Sequence, residues 1–183
     1  MLGILQRHLS GSLFLQAWMF AVHRHHGQHF SGTGLPYLTH IGAVVMTLLP
    51  ALLAGEADDA ELSIVCAILH DTVEDTETTL KEIQEEFGEA VAAGVSALTK
   101  SEEKSGEDAM RDSLDRILRQ PRDIWRVKLS DRIANLGLPP AHWSKEKCLA
   151  YAAEGELILE TLGGASDRLA AQLKMCIADW RER

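Results

Sequence analysis

Residues 67–76 read Ala67-Ile68-Leu69-His70-Asp71-Thr72-Val73-Glu74-Asp75-Thr76. An apolar run at helical spacing ends in His70-Asp71, and Glu74-Asp75 follows one turn later. Ionisable side chains packed so closely behind an apolar run are expensive to bury without a partner. A divalent cation is the simplest partner, because imidazole and carboxylate together suit Mn²⁺, Fe²⁺, Co²⁺ or Zn²⁺. Taken alone, a His-Asp dipeptide at a helix end is ordinary capping chemistry on a wet surface. The flanking sequence decides between the two.

Upstream, Leu35-Pro36-Tyr37-Leu38-Thr39-His40 opens a helix with a histidine directly after a glycine-rich loop. Downstream, residues 127–136 (VKLSDRIANL) set Asp131 in mid-helix among apolar neighbours. Aspartate is a poor helix-interior residue and does not face a core unpaired. His40 or Asp131 alone is ordinary scaffold. Joined to His70 and Asp71, they make a plausible metal shell of imidazoles and carboxylates, with positions left for water.

The rest of the chain reads as helices. The spacing predicts amphipathic segments over 12–26, 38–53, 59–70, 78–87 and 89–98, then 108–118, 121–135, 144–162 and 166–180. Gly27, Gly32, Gly34 and Pro36 mark a loop, Gly88 a break, and residues 99–107 (TKSEEKSGE) a mobile polar surface loop. Pro121 suits a first helical turn, Pro139-Pro140 enforces a stop, and Thr78 or Thr79 and Ser144 suit N-caps. No repeat or linker divides the chain. The expectation is an all-α bundle of nine or ten helices, a single domain over 1–183 with its core at about 12–173.

Composition narrows the function. Hydrophobic residues make up 46% of the 183 and charged residues 25%, an ordinary globular mix. The formal charge of −9, from 18 basic and 27 acidic residues, argues against a nucleic-acid footprint. A small anionic ligand in a local basic or metal-containing pocket stays open. Cys66, Cys148 and Cys176 are far apart and form no CxxC pair, so thiols in a reducing compartment are expected. The apolar run from Ile41 to Gly55 is too short to span a bilayer, and no signal-peptide layout opens the chain. These features predict a cytoplasmic protein without membrane or nucleic-acid partners, a monomer or homodimer.

The order His…His-Asp…Asp, with Glu74-Asp75 after the central pair, resembles the HD phosphohydrolases. From about Ser12 to Leu173 the chain is similar to the hydrolase domain of the RelA/SpoT alarmone enzymes and their small single-domain relatives. The matching stretches are His26-Gly27-Gln28, Pro36-Tyr37 through His40, residues 69–76, Phe87-Gly88, Leu98-Thr99-Lys100 and residues 127–136. This resemblance implies that His40, His70, Asp71 and Asp131 hold a divalent metal, usually Mn²⁺. It implies that Glu74 and Asp75 orient and deprotonate the attacking water, and that Asn135, Tyr151, Lys147 and Arg111 contact the nucleotide or its phosphates. The implied activity is a 3′-pyrophosphohydrolase of (p)ppGpp or (p)ppApp. Alternatives are a nucleotidase acting on another phosphorylated nucleotide, or a silent alarmone-binding protein.

The chain also departs from that pattern. Relatives usually carry an arginine beside the purine after Gly-Gln, where this chain has His29-Phe30-Ser31. Phe30 can stack on a base but offers no guanidinium. Guanine preference is therefore open, and an adenosine alarmone is a candidate substrate. His23, His25, His26 and His29 read as surface or scaffold residues, with His26 shaping a pocket wall. The four tryptophans read as packing residues.

Overall fold

A computed structural model describes residues 12–30, 32–101, 106–137 and 143–181. Among them are ten α-helical segments and a 3₁₀ turn, Gly163–Ala165. They are α1 Leu13–Arg24, α2 Leu38–Leu53, α3 Ala60–Leu69, α4 Thr72–Asp75 and α5 Leu80–Phe87. Next come α6 Glu89–Leu98, α7 Gly106–Leu118, α8 Arg122–Gly137, α9 Lys145–Leu162 and α10 Asp167–Arg181. The extended pairing named among the described residues is an isolated bridge, His29 to Pro36, across the glycine loop. None of these helices is long and apolar enough to cross a membrane.

Local chemistry explains the boundaries. Asp59 caps α3 by accepting from the Leu62 N–H at 2.9 Å. Thr79 and Glu82 form a reciprocal capping box on α5. Ser144 and Ser166 accept from Lys147 and Leu169, opening α9 and α10. Gly88, at φ +89°, turns α5 into α6 through a conformation that L side chains rarely adopt. Pro121 sits just before α8, its carbonyl accepting from the Ile124 N–H. Helix α7 starts at Gly106, inside the stretch expected to be loop. The loop expectation for 102–105 and the stop at Pro139-Pro140 lie outside the described residues.

Helix α8 is the axis of the bundle. It packs against α2, α3, α9 and α10, so it has almost no solvent face. A helix enclosed on all sides is normally apolar all round. This one buries Ile124, Val127, Leu129, Ile133 and Leu136, but also Asp123, Arg126, Lys128, Asp131 and Arg132. Each buried charge has a partner. Arg126 donates to Asp123 and to the Ala165 carbonyl, Ser63 donates to Asp123, and Arg132 pairs with Glu154. Lys128 pairs with Asp131. Gly94 lets α6 approach this core, because a Cβ there would stand 2.8 Å from Cys66 Sγ and 2.7 Å from Ile124. The three cysteines are free thiols, as their spacing predicts. Trp180 is buried and donates to the Leu136 carbonyl, locking α10 to the end of α8.

Candidate metal centre

The centre forms where α2, the α3–α4 corner and α8 meet. At the corner, the last carbonyls of α3 must find donors. The His70 ring donates from Nδ1 to the Ala67 carbonyl at 2.9 Å, and the Thr72 hydroxyl donates to Leu69 at 2.7 Å. These bonds end α3 at His70 and turn the chain into the single-turn α4. They also fix the His70 tautomer, so that the Nε2 lone pair faces inward.

His40 projects from the first turn of α2 and Asp131 from the middle of α8. His40 Nε2 lies 3.3 Å from His70 Nε2, and 3.4 Å from both Asp71 Oδ2 and Asp131 Oδ1. His70 Nε2 lies 2.9 Å from Asp71 Oδ2 and 3.8 Å from Asp131 Oδ1. Ligands about 2.0–2.2 Å from one ion stand roughly 3–4 Å apart, so these separations suit a shared cation. Among the described residues, His40, His70 and Asp131 form the buried group able to hold a metal ion. Asp71, partly exposed, completes the ring from the side. Two imidazole nitrogens at 3.3 Å repel unless a proton or a cation lies between them, and the donor set of nitrogen and carboxylate oxygen fits a divalent transition metal.

Without a metal, protons balance this charge. Burial works against a charged His40, but hydrogen bonds and charges from Asp131 and Asp71 prevail and hold it up to about 9. His70 is raised as well: burial opposes its charge and Asp71 outweighs burial. Burial opposes the ionised form of Asp131 too, yet Lys128 and the two histidines hold its carboxyl far below the usual range. Asp71 is likewise driven well down, by His70 and His40 against burial.

Further side chains support these residues. Lys128 is buried and donates to Asp131 Oδ2 at 3.0 Å, leaving Oδ1 for the cluster. Asn135, one turn on, donates to Oδ1 at 2.6 Å. The Tyr37 hydroxyl donates to Asp71 Oδ2; burial and Asp71 raise its pKa, so it stays a donor. Gln28 accepts from His25 through its amide oxygen and donates to Asp75. His25 is buried and stacks on Tyr37 at 4.8 Å, a scaffold role. His23 and His26 are exposed and line, with Gln28 and Asp75, a cavity of about 410 Å³.

Of the residues expected from sequence, the centre gathers His40, His70, Asp71, Asp131 and Asn135. Glu74 and Asp75 stand at its rim. Phe30 lies against His40, ring centroids 5.2 Å apart and nearly parallel, so one of its faces already covers a cluster residue. Tyr151 packs between Trp143, Trp180 and the Arg132 guanidinium, which sits 3.9 Å over its ring. Lys147 covers Trp143 from the outer surface of α9, and Arg111 is exposed on α7. Sequence reasoning did not single out Tyr37, Gln28, Lys100 or Lys128 as part of the site. Lys128 carried a usable signal, a cation three residues before Asp131 in a helix otherwise built to be buried.

Comparison with known proteins agrees with this geometry. A family model described as an HD domain matches residues 17–165. The zebrafish (Danio rerio) protein named guanosine-3′,5′-bis(diphosphate) 3′-pyrophosphohydrolase MESH1 is 29% identical over 170 residues, 90% of this chain and 92% of its own length. The mouse (Mus musculus) protein of the same name is 30% identical over 166 residues, 87% of this chain and 90% of its own. A solved structure, described as a metazoan orthologue of SpoT that hydrolyses ppGpp and plays a role in starvation responses, superposes with a TM-score of 0.78. That superposition spans 91% of this chain and 94% of the other at 22% identity, a likeness of fold. The all-α bundle built around His40, His70, Asp71 and Asp131 thus belongs to the HD-domain family of hydrolases, in the small RelA/SpoT-type branch that includes the MESH1 proteins.

Proposed function

We propose that this chain is a metal-dependent 3′-pyrophosphohydrolase of nucleotide alarmones, with ppGpp as a substrate and Mn²⁺ as its ion. The convergence of His40 Nε2, His70 Nε2, Asp71 Oδ2 and Asp131 Oδ1, with two carboxylates at the rim, carries the reading. The names of the MESH1 relatives, which cover about nine-tenths of the chain, support the substrate class.

When bound by His40, His70, Asp71 and Asp131, the ion supplies an acidified water and offsets charge on the phosphate joined to O3′. The remaining work falls to the protein. The Glu74-Asp75 pair orients the attacking water, and one carboxylate of the pair takes its proton. The water oxygen bonds to phosphorus, the P–O3′ bond breaks, and its electron pair goes to O3′, which takes up the proton that the carboxylate accepted. Pyrophosphate and the 5′-phosphorylated nucleoside leave. Tyr37 aligns Asp71, Lys128 keeps Asp131 ionised and aligned, and Asn135 fixes the Asp131 oxygen that faces the histidines. The nucleotide lies along Tyr151, Lys147, Arg111 and the outer face of Phe30.

A second reading concerns the base. Phe30, where the family resemblance implies an arginine, offers an apolar ring beside His40 and no guanidinium, which favours accepting ppApp as well as ppGpp.

The test is direct: purified protein with Mn²⁺, given ppGpp and ppApp in parallel, with released pyrophosphate as the readout. Turnover on either, abolished by a chelator and restored by Mn²⁺, is the expected result. Absence of pyrophosphate from both substrates with stoichiometric metal bound overturns the reading.

A further inference from the structure

Glu74 and Asp75 are adjacent in sequence but meet different surroundings. Asp75 accepts from the Gln28 amide at 3.2 Å and opens on the 410 Å³ cavity. Glu74 is gripped on both oxygens by one residue. The Lys100 backbone N–H donates to Oε2 at 2.9 Å and the Lys100 ammonium to Oε1 at 3.0 Å. Each of its oxygens is thus already engaged by a Lys100 donor, whereas Gln28 engages only Oδ2 of Asp75. The ammonium it grips is, by the same contacts, aimed.

That ammonium stands at the rim of the centre, on Glu74 of the turn that directly follows Asp71. Burial works against its charge, but Glu74 first, then Asp131 and Asp71, more than offset this. Its base is anchored. Lys100 follows the end of α6, where Thr99 donates back to the Val95 carbonyl and Arg116 donates to the carbonyls of Ser96 and Ala97 at 2.6 and 3.3 Å.

The buried cations of α8 cannot serve a ligand in this way. Lys128 is buried and committed to Asp131. Arg132 is 4% exposed at its side chain and lies on Tyr151 with Glu154. The Lys100 side chain is 51% exposed, open to a ligand from solution. An ammonium carries three donors, and the bond to Glu74 uses one. A surface pair on its own stabilises little and requires no backbone grip. A polyphosphate approaching Asp71, Glu74, Asp75 and Asp131 does require a held cation.

We propose that Lys100 binds the substrate's transferring phosphate at this centre, that Glu74 is the positioning residue holding it there, and that Asp75 alone accepts the proton. This rests on the hydrolase reading above and divides the roles within it.

Inorganic pyrophosphate, the product, is the probe, titrated calorimetrically into the Mn²⁺-loaded full chain. Lys100→Met should keep metal content and urea midpoint, and weaken pyrophosphate binding by about 10–100-fold, the scale for a lost charge-assisted bond. Lys100→Arg should recover most of that loss. With ppGpp, Lys100→Met and Glu74→Gln should raise KM by similar factors, and the double variant should be no worse than Lys100→Met. Asp75→Asn should instead lower kcat and leave pyrophosphate affinity in place. Unchanged pyrophosphate affinity in Lys100→Met, additive losses in the double variant, or no pyrophosphate binding by the wild type overturns the proposal. An unmodified protein that binds pyrophosphate through Lys100 yet leaves ppGpp intact overturns the hydrolase reading and keeps the assignment of Lys100.

Discussion

Helix α8 carries the same motif twice, an acid and a base three residues apart and both buried: Asp123 with Arg126, and Lys128 with Asp131. The first is closed. Arg126 bonds Asp123 and the Ala165 carbonyl, and Ser63 fills a further lone pair of Asp123. The second is open, because Asp131 turns its remaining oxygen toward two imidazoles and a second carboxylate. A buried ion pair is therefore no mark of function by itself. The mark is acceptor capacity left over once the protein partners are counted, gathered with like groups from other helices.

Breaking the open pair should have the largest effect. Asp131→Ala removes one of the proposed metal ligands, so bound Mn²⁺ and pyrophosphate release should both disappear while the helical fold persists. Stoichiometric metal and full turnover in this variant would show that the centre lies elsewhere. Breaking the closed pair should do the reverse. Asp123→Ala leaves Arg126 buried and uncompensated, which costs about 3–5 kcal/mol of stability. Chemical denaturation should register that loss, and the folded fraction should still bind metal one to one. If instead Asp123→Ala removes metal at unchanged stability, the distinction between the two pairs fails.

At the rim the expected change is one of rate. Asp75→Asn should retain metal and lose at least ~100-fold in kcat, the usual scale for general-base help. Metal content and activity measured on one preparation separate it from Asp131→Ala. Loss of metal from Asp75→Asn would move that residue into the ligand set.

Titration sharpens the comparison further. In the metal-free protein His40 is raised from its ordinary 6.5 to about 9. A raised folded-state value contributes stability that is fully present below the unfolded value and is lost as pH rises through the folded one. The metal-free urea midpoint should therefore fall between pH 6.5 and 9, while affinity for Mn²⁺ rises over the same window as the proton leaves. A metal-free midpoint that stays level or climbs across that range contradicts the proton balance described here.

Much of this was legible in the sequence, for identifiable reasons. Helices α2 and α6 fall at the expected residues because strong apolar periodicity is bounded by Pro36, Gly55, Gly88 and Thr99. The gathering of His40, His70, Asp71 and Asp131 followed from polar residues set into apolar runs, together with the family pattern. The single-turn α4 did not follow, since it exists to satisfy the carbonyls at the end of α3 and four residues carry no periodicity. The early start of α7 at Gly106 was hidden by a Gly-containing polar stretch that reads equally well as loop. The Lys100–Glu74 contact spans 26 positions between two helix ends and leaves no local trace.

The smallest predicted effect is in base choice. The family resemblance implies an arginine where this chain has Phe30, and here one face of that ring rests on His40. The other face can stack on either purine with little discrimination, because every base offers a π face. Discrimination then falls to polar contacts at the base edge, and Asn135 has its amide nitrogen committed to Asp131. Guanosine alarmones should accordingly hold no built-in advantage, and ppApp should be hydrolysed at least as well as ppGpp. Phe30→Arg should shift the kcat/KM ratio toward ppGpp, with metal content measured alongside because the substitution also uncovers His40. An unmodified enzyme that prefers ppGpp by more than about tenfold, some 1.4 kcal/mol of differential transition-state binding, would show that a group other than Phe30 reads the base.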